Sequence, residues 1–448
     1  MNCSKSYKRI LHPFYAVLCI LYSVLCFSAC NIGFTADSLL VPPKLSEKQK
    51  LVYEALTNAT GEDIRLKYPL SGQYRSAVTI ADIDGDGNEE AIAFYQRIET
   101  PGGTAVAADN SLRVNILDTT PDGEWYSVYD HAGVGSDIDR MIINPLGSTK
   151  TPLITIGFTM LSGAKTARIY SYTDNRLSGE FSENYINMFT ADLDRDEDYE
   201  LCLLHPNTAD RAAYISLVSV EGNLIYEWGT AELNPTAAEY VNIVSGALSP
   251  KTSAIYIDST DGESLYTDIV YSPAPGKLRN PMYLNESKLI EKTVRPSGYM
   301  STDIDGDKIL EIPVLSVFPG YNATREDAVY STNWMYLDNY MIKKKYSSYY
   351  NSEEGYAFLF PARWDGVVTV RHDERTGDTV FCKYTAGADV KDMPELMRIT
   401  VAEGDAARTG HRLLKNKDNF YYYIFSPLSE DEPLILTDTE IDNSFRLL

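Results

Sequence analysis

Short apolar runs separated by polar turns occupy most of the chain from about residue 70 onward. Runs such as 91–97, 152–158 and 199–205 have the length and the composition of β-strands. Turn pairs such as Asp122-Gly123 and Asp261-Gly262 separate such runs, and no long helical period interrupts them. The pattern therefore predicts a mainly β protein, built as a sandwich, a barrel or a propeller.

One helix is predicted ahead of the strands, over residues 45–60. Ser46 and Gln49 have the spacing of a capping box, and apolar residues such as Val52 and Leu56 follow at helical spacing. We interpret this helix as a brace that packs on the β domain, rather than as a docking element for a partner.

The acidic residues add a candidate chemistry. The motif Asp-x-Asp-x-Asp-x-x-x-Glu occurs three times, and each copy runs directly into a strand-like apolar segment. Ca²⁺ takes about six to eight oxygen ligands, and carboxylates at alternate positions of a tight loop can converge on one ion. We expect carboxylate ligands at positions 1, 3, 5 and 9 and a backbone carbonyl ligand at position 7. The predicted calcium ligands are Asp82, Asp84, Asp86, Asn88 and Glu90; Asp192, Asp194, Asp196, Asp198 and Glu200; and Asp303, Asp305, Asp307, Ile309 and Glu311.

The three copies differ at positions 4 and 6, where the backbone must turn sharply. The first copy has Gly85 and Gly87, and the third keeps Gly306 at position 4. The second has Arg195 and Glu197 there, which leaves its occupancy open. A solvated acidic turn is the alternative interpretation, and three copies with the same carboxylate positions make it the weaker one.

These acidic segments resemble the calcium loops of FG-GAP and VCBS repeats, the units of integrin-α-type β-propellers. The resemblance implies a β-propeller over residues 65–345, in which each loop joins the first two strands of a blade. The interval between copies is too long for one blade and suits two. Degenerate copies are expected midway, near 142–156 and 244–257, which makes five blade-like units.

The sequence pattern changes after residue 345, and no further acidic motif occurs there. We predict that residues 353–448 form a small C-terminal α+β domain, with two further blades as the alternative. The preceding Lys343-Lys344-Lys345 run is interpreted as a solvated face rather than an anion site.

Length and charge narrow the class of protein. The chain has 448 residues, of which 44% are hydrophobic, and this is enough apolar content for packed cores. Its formal net charge of −23 argues against nucleic acid as a partner, since phosphates attract Lys and Arg. Cys202 and Cys382 lie in apolar runs and are predicted to be buried thiols.

The N-terminal residues predict export. A basic start is followed by an apolar segment over 14–27, which is typical of a signal peptide. The residues that follow this segment, Ser28-Ala29-Cys30, resemble a bacterial lipobox, although Phe27 departs from the usual Leu. The resemblance implies a signal peptide over 1–29, lipidation of Cys30 and a tether over 30–44. We therefore expect a protein lipid-anchored on the extracellular face of a bacterial membrane; secretion after cleavage near Ala36 is the alternative.

Motifs for catalysis are missing from the sequence: it contains no nucleophile elbow, zinc-protease motif, P-loop or dinucleotide fingerprint. Two classes of function remain. The first is a calcium-stabilised binding or scaffold protein without catalytic activity, whose protein or carbohydrate ligand is unknown. The second is a secreted polysaccharide hydrolase or lyase that uses a propeller cleft.

Overall fold

The computed structural model describes residues 45–61, 63–98, 112–249, 252–282, 288–404, 410–427 and 432–448. The described residues form two α-helices and 27 β-strands in six antiparallel sheets. The predicted signal peptide 1–29, the tether 30–44 and Cys30 lie outside these residues. No helix within the described ranges is both long and apolar enough to span a bilayer.

Helix α1 precedes the first sheet and spans Glu47–Thr60. It begins with the predicted capping box, in which the Ser46 hydroxyl accepts from the Gln49 amide N–H. Its buried residues Val52 and Leu56 pack on the first sheet, so the helix acts as the expected brace. The strands of that sheet are β1 (Ile64–Leu66), β2 (Val78–Ala81), β3 (Glu90–Arg97), β4 (Leu112–Thr119) and β5 (Trp125–Ala132).

The next three sheets are four-stranded meanders, in which strands that follow one another in the chain are paired. The second contains β6 (Asp137–Asn144), β7 (Leu153–Thr159), β8 (Lys165–Thr173) and β9 (Arg176–Tyr185). The third contains β10 (Asn187–Ala191), β11 (Glu200–His205), β12 (Tyr214–Glu221) and β13 (Leu224–Glu232). The fourth contains β14 (Glu239–Ser249), β15 (Thr252–Thr260), β16 (Leu265–Ala274) and β17 (Lys277–Arg279).

The last two sheets share the C-terminal part of the chain. The fifth sheet contains β18 (Ile312–Val317), β19 (Tyr330–Asp338), β20 (Met341–Asn351), β21 (Tyr356–Leu359) and, from the C-terminus, β27 (Phe445–Leu447). The sixth contains β22 (Val368–His372), β23 (Thr379–Lys383), β24 (Glu395–Glu403), β25 (Arg412–Lys417) and β26 (Phe420–Phe425). Helix α2 (Asp438–Ser444) leads into β27.

Hydrophobic side chains fill the space between successive sheets. On β11, Leu201 and Leu203 pack toward the second sheet, while Cys202 and Leu204 pack toward the fourth. Successive side chains of a strand point to opposite faces, so a strand between two packed sheets reads as an uninterrupted apolar run. Cys202 and Cys382 are buried free thiols, as predicted.

The first sheet is covered by the N-terminal helix and is not packed on the sixth sheet in the described residues. The outer face of the first sheet packs against α1, through side chains that include Tyr95. None of the hydrophobic clusters found within the described ranges joins the first sheet to the sixth, and no sheet there closes into a barrel.

The predicted domain beginning at residue 353 stays a prediction, but strand pairing crosses that position. In β21, Phe358 pairs with Tyr349 of β20 on one side and with Phe445 of β27 on the other. An aromatic cluster that includes Trp364 and Phe381 then packs the sixth sheet on the fifth. The C-terminal residues therefore complete one sheet and add another.

A buried ion pair fastens the fourth sheet to the segment that precedes the third acidic loop. Asp258 Oδ1 on β15 lies 2.7 Å from Arg295 Nη2, and both side chains are fully buried. The Ser301 backbone N–H also donates to Asp258 Oδ2 at 2.7 Å. Burial alone would raise the pKa of Asp258, but Arg295 and the hydrogen bonds bring this pKa below its ordinary value. The contact therefore stabilises the fold at neutral pH, and its contribution falls as the pH drops through the lowered pKa.

We predict that Asp258→Asn lowers the free energy of unfolding by about 3–5 kcal/mol, because it leaves Arg295 buried without a counter-charge. Denaturant unfolding measures the change. Asp327→Asn is the control, since Asp327 pairs with Arg325 at the exposed surface and should cost no more than about 1 kcal/mol. Equal losses in the two variants would contradict the assignment.

Candidate metal centre

The three acidic loops occupy equivalent places in alternate sheets. The first loop joins β2 to β3, and Ala81 pairs with Glu90 at its base. The second joins β10 to β11, and Ala191 pairs with Glu200 there. The third leads into β18 and is closed by a bridge between Thr302 and Glu311. Each loop is thus a hairpin whose last carboxylate lies beside its first residues.

Backbone hydrogen bonds give the loops a common shape. The Asp at position 1 accepts from the backbone N–H at position 4, with N–O distances of 2.6, 2.6 and 2.7 Å for Gly85, Arg195 and Gly306. The glutamate at position 9 accepts from the N–H at position 2 in the first and third loops, at 3.0 and 3.1 Å. The aliphatic residue at position 2 is buried in every copy: Ile83, Leu193 and Ile304.

The second loop adopts this shape without glycine. Arg195 and Glu197 have φ values of 61° and 73°, where the first loop has Gly85 and Gly87 at 80° and 93°. A left-handed conformation costs a non-glycine residue about 1–2 kcal/mol. The missing glycines therefore strain the second loop but do not prevent it from forming.

Three carboxylate clusters in the described residues could hold a metal ion. In each cluster, ligand atoms from all three members lie within 4.8 Å of one another. Ligand roles for the remaining predicted residues, including Glu90, Glu200 and the position-7 carbonyls of Asn88, Asp198 and Ile309, stay predictions. The clusters are Asp82, Asp84 and Asp86; Asp192, Asp194 and Asp196; and Asp303, Asp305 and Glu311.

The first two acidic loops, including their position-9 glutamates, have the electrostatics of a cation site. Burial and the neighbouring acidic groups raise the pKa of Glu90 to about 7 and that of Glu200 to about 8. Two buried oxygens of the second loop, Asp194 Oδ1 and Glu200 Oε2, have no hydrogen-bond partner. Among the described residues, no ion pair involves Asp82, Asp84, Asp86 or Glu90. A hard cation fits such an oxygen-rich donor set, because it would pair the buried oxygens and offset their repulsion.

The third cluster already contains a positive charge. Lys345 Nζ on β20 lies 2.8 Å from a carboxylate oxygen of each of Asp305, Asp307 and Glu311. The interpretation of the three-lysine run as a solvated face is therefore wrong for Lys345, whose side chain is 18% exposed. Sequence reasoning missed this contact because Lys345 approaches the loop from another strand of the sheet.

Comparisons with known proteins leave the family open. No family model matches the chain, and no curated protein matches it. Among solved structures, it resembles an exotype rhamnogalacturonan lyase, YesX, at 12% identity and a TM-score of 0.28, covering 71% of this chain and 61% of the lyase chain. It also resembles a periplasmic gluconolactonase of Pseudomonas aeruginosa at 10% identity and a TM-score of 0.26, covering 73% and 86%.

A lanthanide probe can test metal binding at the second loop. Trp228 lines a hollow of about 270 Å³ together with Asp196, Asp198 and Glu200. We predict that Tb³⁺ bound there emits when tryptophan is excited, and that Trp228→Phe lowers this emission because it removes the adjacent indole. Trp364→Phe, in the core between the fifth and sixth sheets, is the control and should leave the emission unchanged. Equal emission from wild type and Trp228→Phe would contradict binding at this loop.

Proposed function

We propose that this protein is a calcium-stabilised β-propeller of the FG-GAP/VCBS type. In this proposal it acts as a binding or scaffold protein without catalytic activity, lipid-anchored through Cys30 on the extracellular face of a bacterial membrane. The observation that carries the proposal is the repetition of one hydrogen-bonded acidic loop at the start of the first, third and fifth sheets. Its ligand is an unidentified protein or carbohydrate.

The repetition of small sheets along the chain supports blade-like units of the propeller type. Each sheet is a small antiparallel meander, and hydrophobic clusters pack each sheet on the next along the chain. The second and fourth sheets lack the acidic motif, and their first hairpins, β6–β7 and β14–β15, fall where the degenerate copies are expected. Acidic loops in alternate sheets agree with an interval of two blades between copies.

Calcium is the ion that suits these loops best. Their donors are all oxygens, which Ca²⁺ prefers, whereas sulfur and imidazole ligands would favour zinc or copper. The first two loops each join the two strands of a hairpin and lead into a strand buried on both faces, so a bound ion would hold the hairpin closed. Extracellular calcium modules bind with Kd values of about 10⁻⁴–10⁻³ M. We therefore assign the ion a structural role.

One cleft of the described residues lacks the carboxyl groups that glycoside hydrolysis would need. This cleft of about 380 Å³ lies where β6, β10 and β14 come together, and its lining includes Arg140, Asn187, Tyr240 and Asn242. Glycoside hydrolysis uses two carboxyl groups that face each other across the substrate. The described residues that line this cleft include neither Asp nor Glu. No specific observation favours the alternative of a polysaccharide hydrolase or lyase.

Chelation should destabilise the protein, since a saturated site contributes about 2.7 kcal/mol when free Ca²⁺ is about a hundred times its Kd. We expect EDTA to lower the melting temperature, and Asp84→Asn or Glu90→Gln to reduce the difference between Ca²⁺ and EDTA. Asp122→Asn, at an exposed hairpin of the same sheet, is the control. Calorimetric titration with Ca²⁺ measures binding directly. Absence of binding heat, with a melt that EDTA leaves unchanged, would overturn the calcium assignment.

Lipidation is tested separately from calcium binding. Growing cells that express the full chain are labelled with a fatty-acid analogue, and the label should appear on wild type and disappear in Cys30→Ser. Cys3→Ser, which lies near the start of the predicted signal peptide, should keep the label. Absence of label from wild type would remove the anchor and favour secretion.

A further inference from the structure

The same irregularity, a one-residue bulge, recurs in the sheets that carry acidic loops, where β4 pairs with β5, β12 with β13 and β19 with β20. In the first sheet, Ile116 pairs with Tyr129 and Leu117 pairs with Ser127. Val128 is therefore an extra residue in β5 that has no partner on β4. A bulge of this kind re-aims the side chain of the inserted residue.

The third and fifth sheets contain the matching bulge. In β13, Trp228 is the extra residue between Glu227 and Gly229. In β20, Lys345 is the extra residue between Lys344 and Tyr346. The three inserted residues are thus Val128, Trp228 and Lys345.

Strand register shows that these three residues are equivalent. In each sheet, the residue after the loop glutamate pairs with a residue of β4, β12 or β19, and that residue in turn pairs beside the bulge with β5, β13 or β20. The first of these pairs are Ala91 with Leu117, Leu201 with Val218, and Ile312 with Met335. Each bulge therefore lies at the same distance, counted in residue pairs, from its own acidic loop.

Only in the fifth sheet is the bulge residue a cation. An ammonium group has three N–H donors, and the Lys345 ammonium lies 2.8 Å from oxygens of three carboxylates. Two of them, Asp305 and Glu311, belong to the cluster that could hold a metal ion, and Glu311 is fully buried. A metal ion at these oxygens would lie within a few ångströms of the ammonium, where like charges repel strongly.

We propose that Lys345 is an internal cation that replaces the metal ion of the third loop. The residue in the bulge of β5, β13 or β20 thereby decides whether a loop binds Ca²⁺, and this chain binds two ions, at the first and second loops. The assignment of Ca²⁺ to those two loops rests on the function proposed above, whereas the role of Lys345 in the third loop rests on its own contacts.

The test is calorimetric titration of the full chain with Ca²⁺, together with thermal melts in EDTA. We expect two ions for wild type. Lys345→Val gives the third loop the residue of the first sheet and should raise the number to three. Val128→Lys makes the reverse change and should lower it to one. Lys343→Val is the control, because Lys343 lies on the same strand but pairs with Asp338 outside the loop.

The melting temperature in EDTA tests the role of Lys345 without relying on the number of bound ions. Without its internal cation the third loop holds unbalanced carboxylates, so Lys345→Val should melt several degrees below Lys343→Val and regain stability in Ca²⁺. Three ions in wild type, or two ions in both wild type and folded Lys345→Val, would overturn the proposal. If wild type binds none, the calcium function fails. A low EDTA melt of Lys345→Val would then still support the internal cation, and an EDTA melt equal to that of Lys343→Val would overturn it.

Discussion

Burial of both faces of inner strands such as β3 and β11 is the constraint on which the rest of this molecule depends. A sheet packed between two neighbours has to present apolar side chains on each face, as Leu201 and Cys202 do on opposite faces of β11. The chain enters β3 and β11 through a tight connection from the preceding strand. The acidic loops provide that connection, and their aliphatic second residue is buried against the same core.

The shape of the acidic loops brings several carboxylates close together. Pairing across the hairpin returns the position-9 glutamate to the start of the loop, where the alternate aspartates converge. Glu90, Glu200 and Glu311 are all buried, so like charges meet in a region of low dielectric. A positive charge near such a loop would offset this repulsion.

Two kinds of positive charge can offset the repulsion in this chain: a bound cation and a lysine side chain. Burial and nearby acidic groups raise the pKa of Glu200 to about 8, and one of its oxygens lacks a hydrogen-bond partner, so a cation bound beside it would offset the repulsion. In the third loop a lysine supplies the charge covalently, and the loop keeps the same hydrogen bonds. A lysine is part of the chain, so its charge, unlike that of a bound ion, does not depend on the concentration of free Ca²⁺.

The sequence by itself determined the local elements. Apolar runs bounded by turn residues predicted the strands, Ser46 and Gln49 predicted the capped helix, and the repeated motif identified the loops whose carboxylates converge, because these features depend on neighbouring residues. The tertiary structure alone decided how the strands divide into six sheets, and it showed that β21 and β27 join the fifth sheet from beyond the expected boundary. It also decided which loop contains a cation. Lys345 reaches the third loop through a bulge on another strand. The sequence alone does not predict this contact, because strand register, rather than sequence distance, brings the ammonium to the carboxylates.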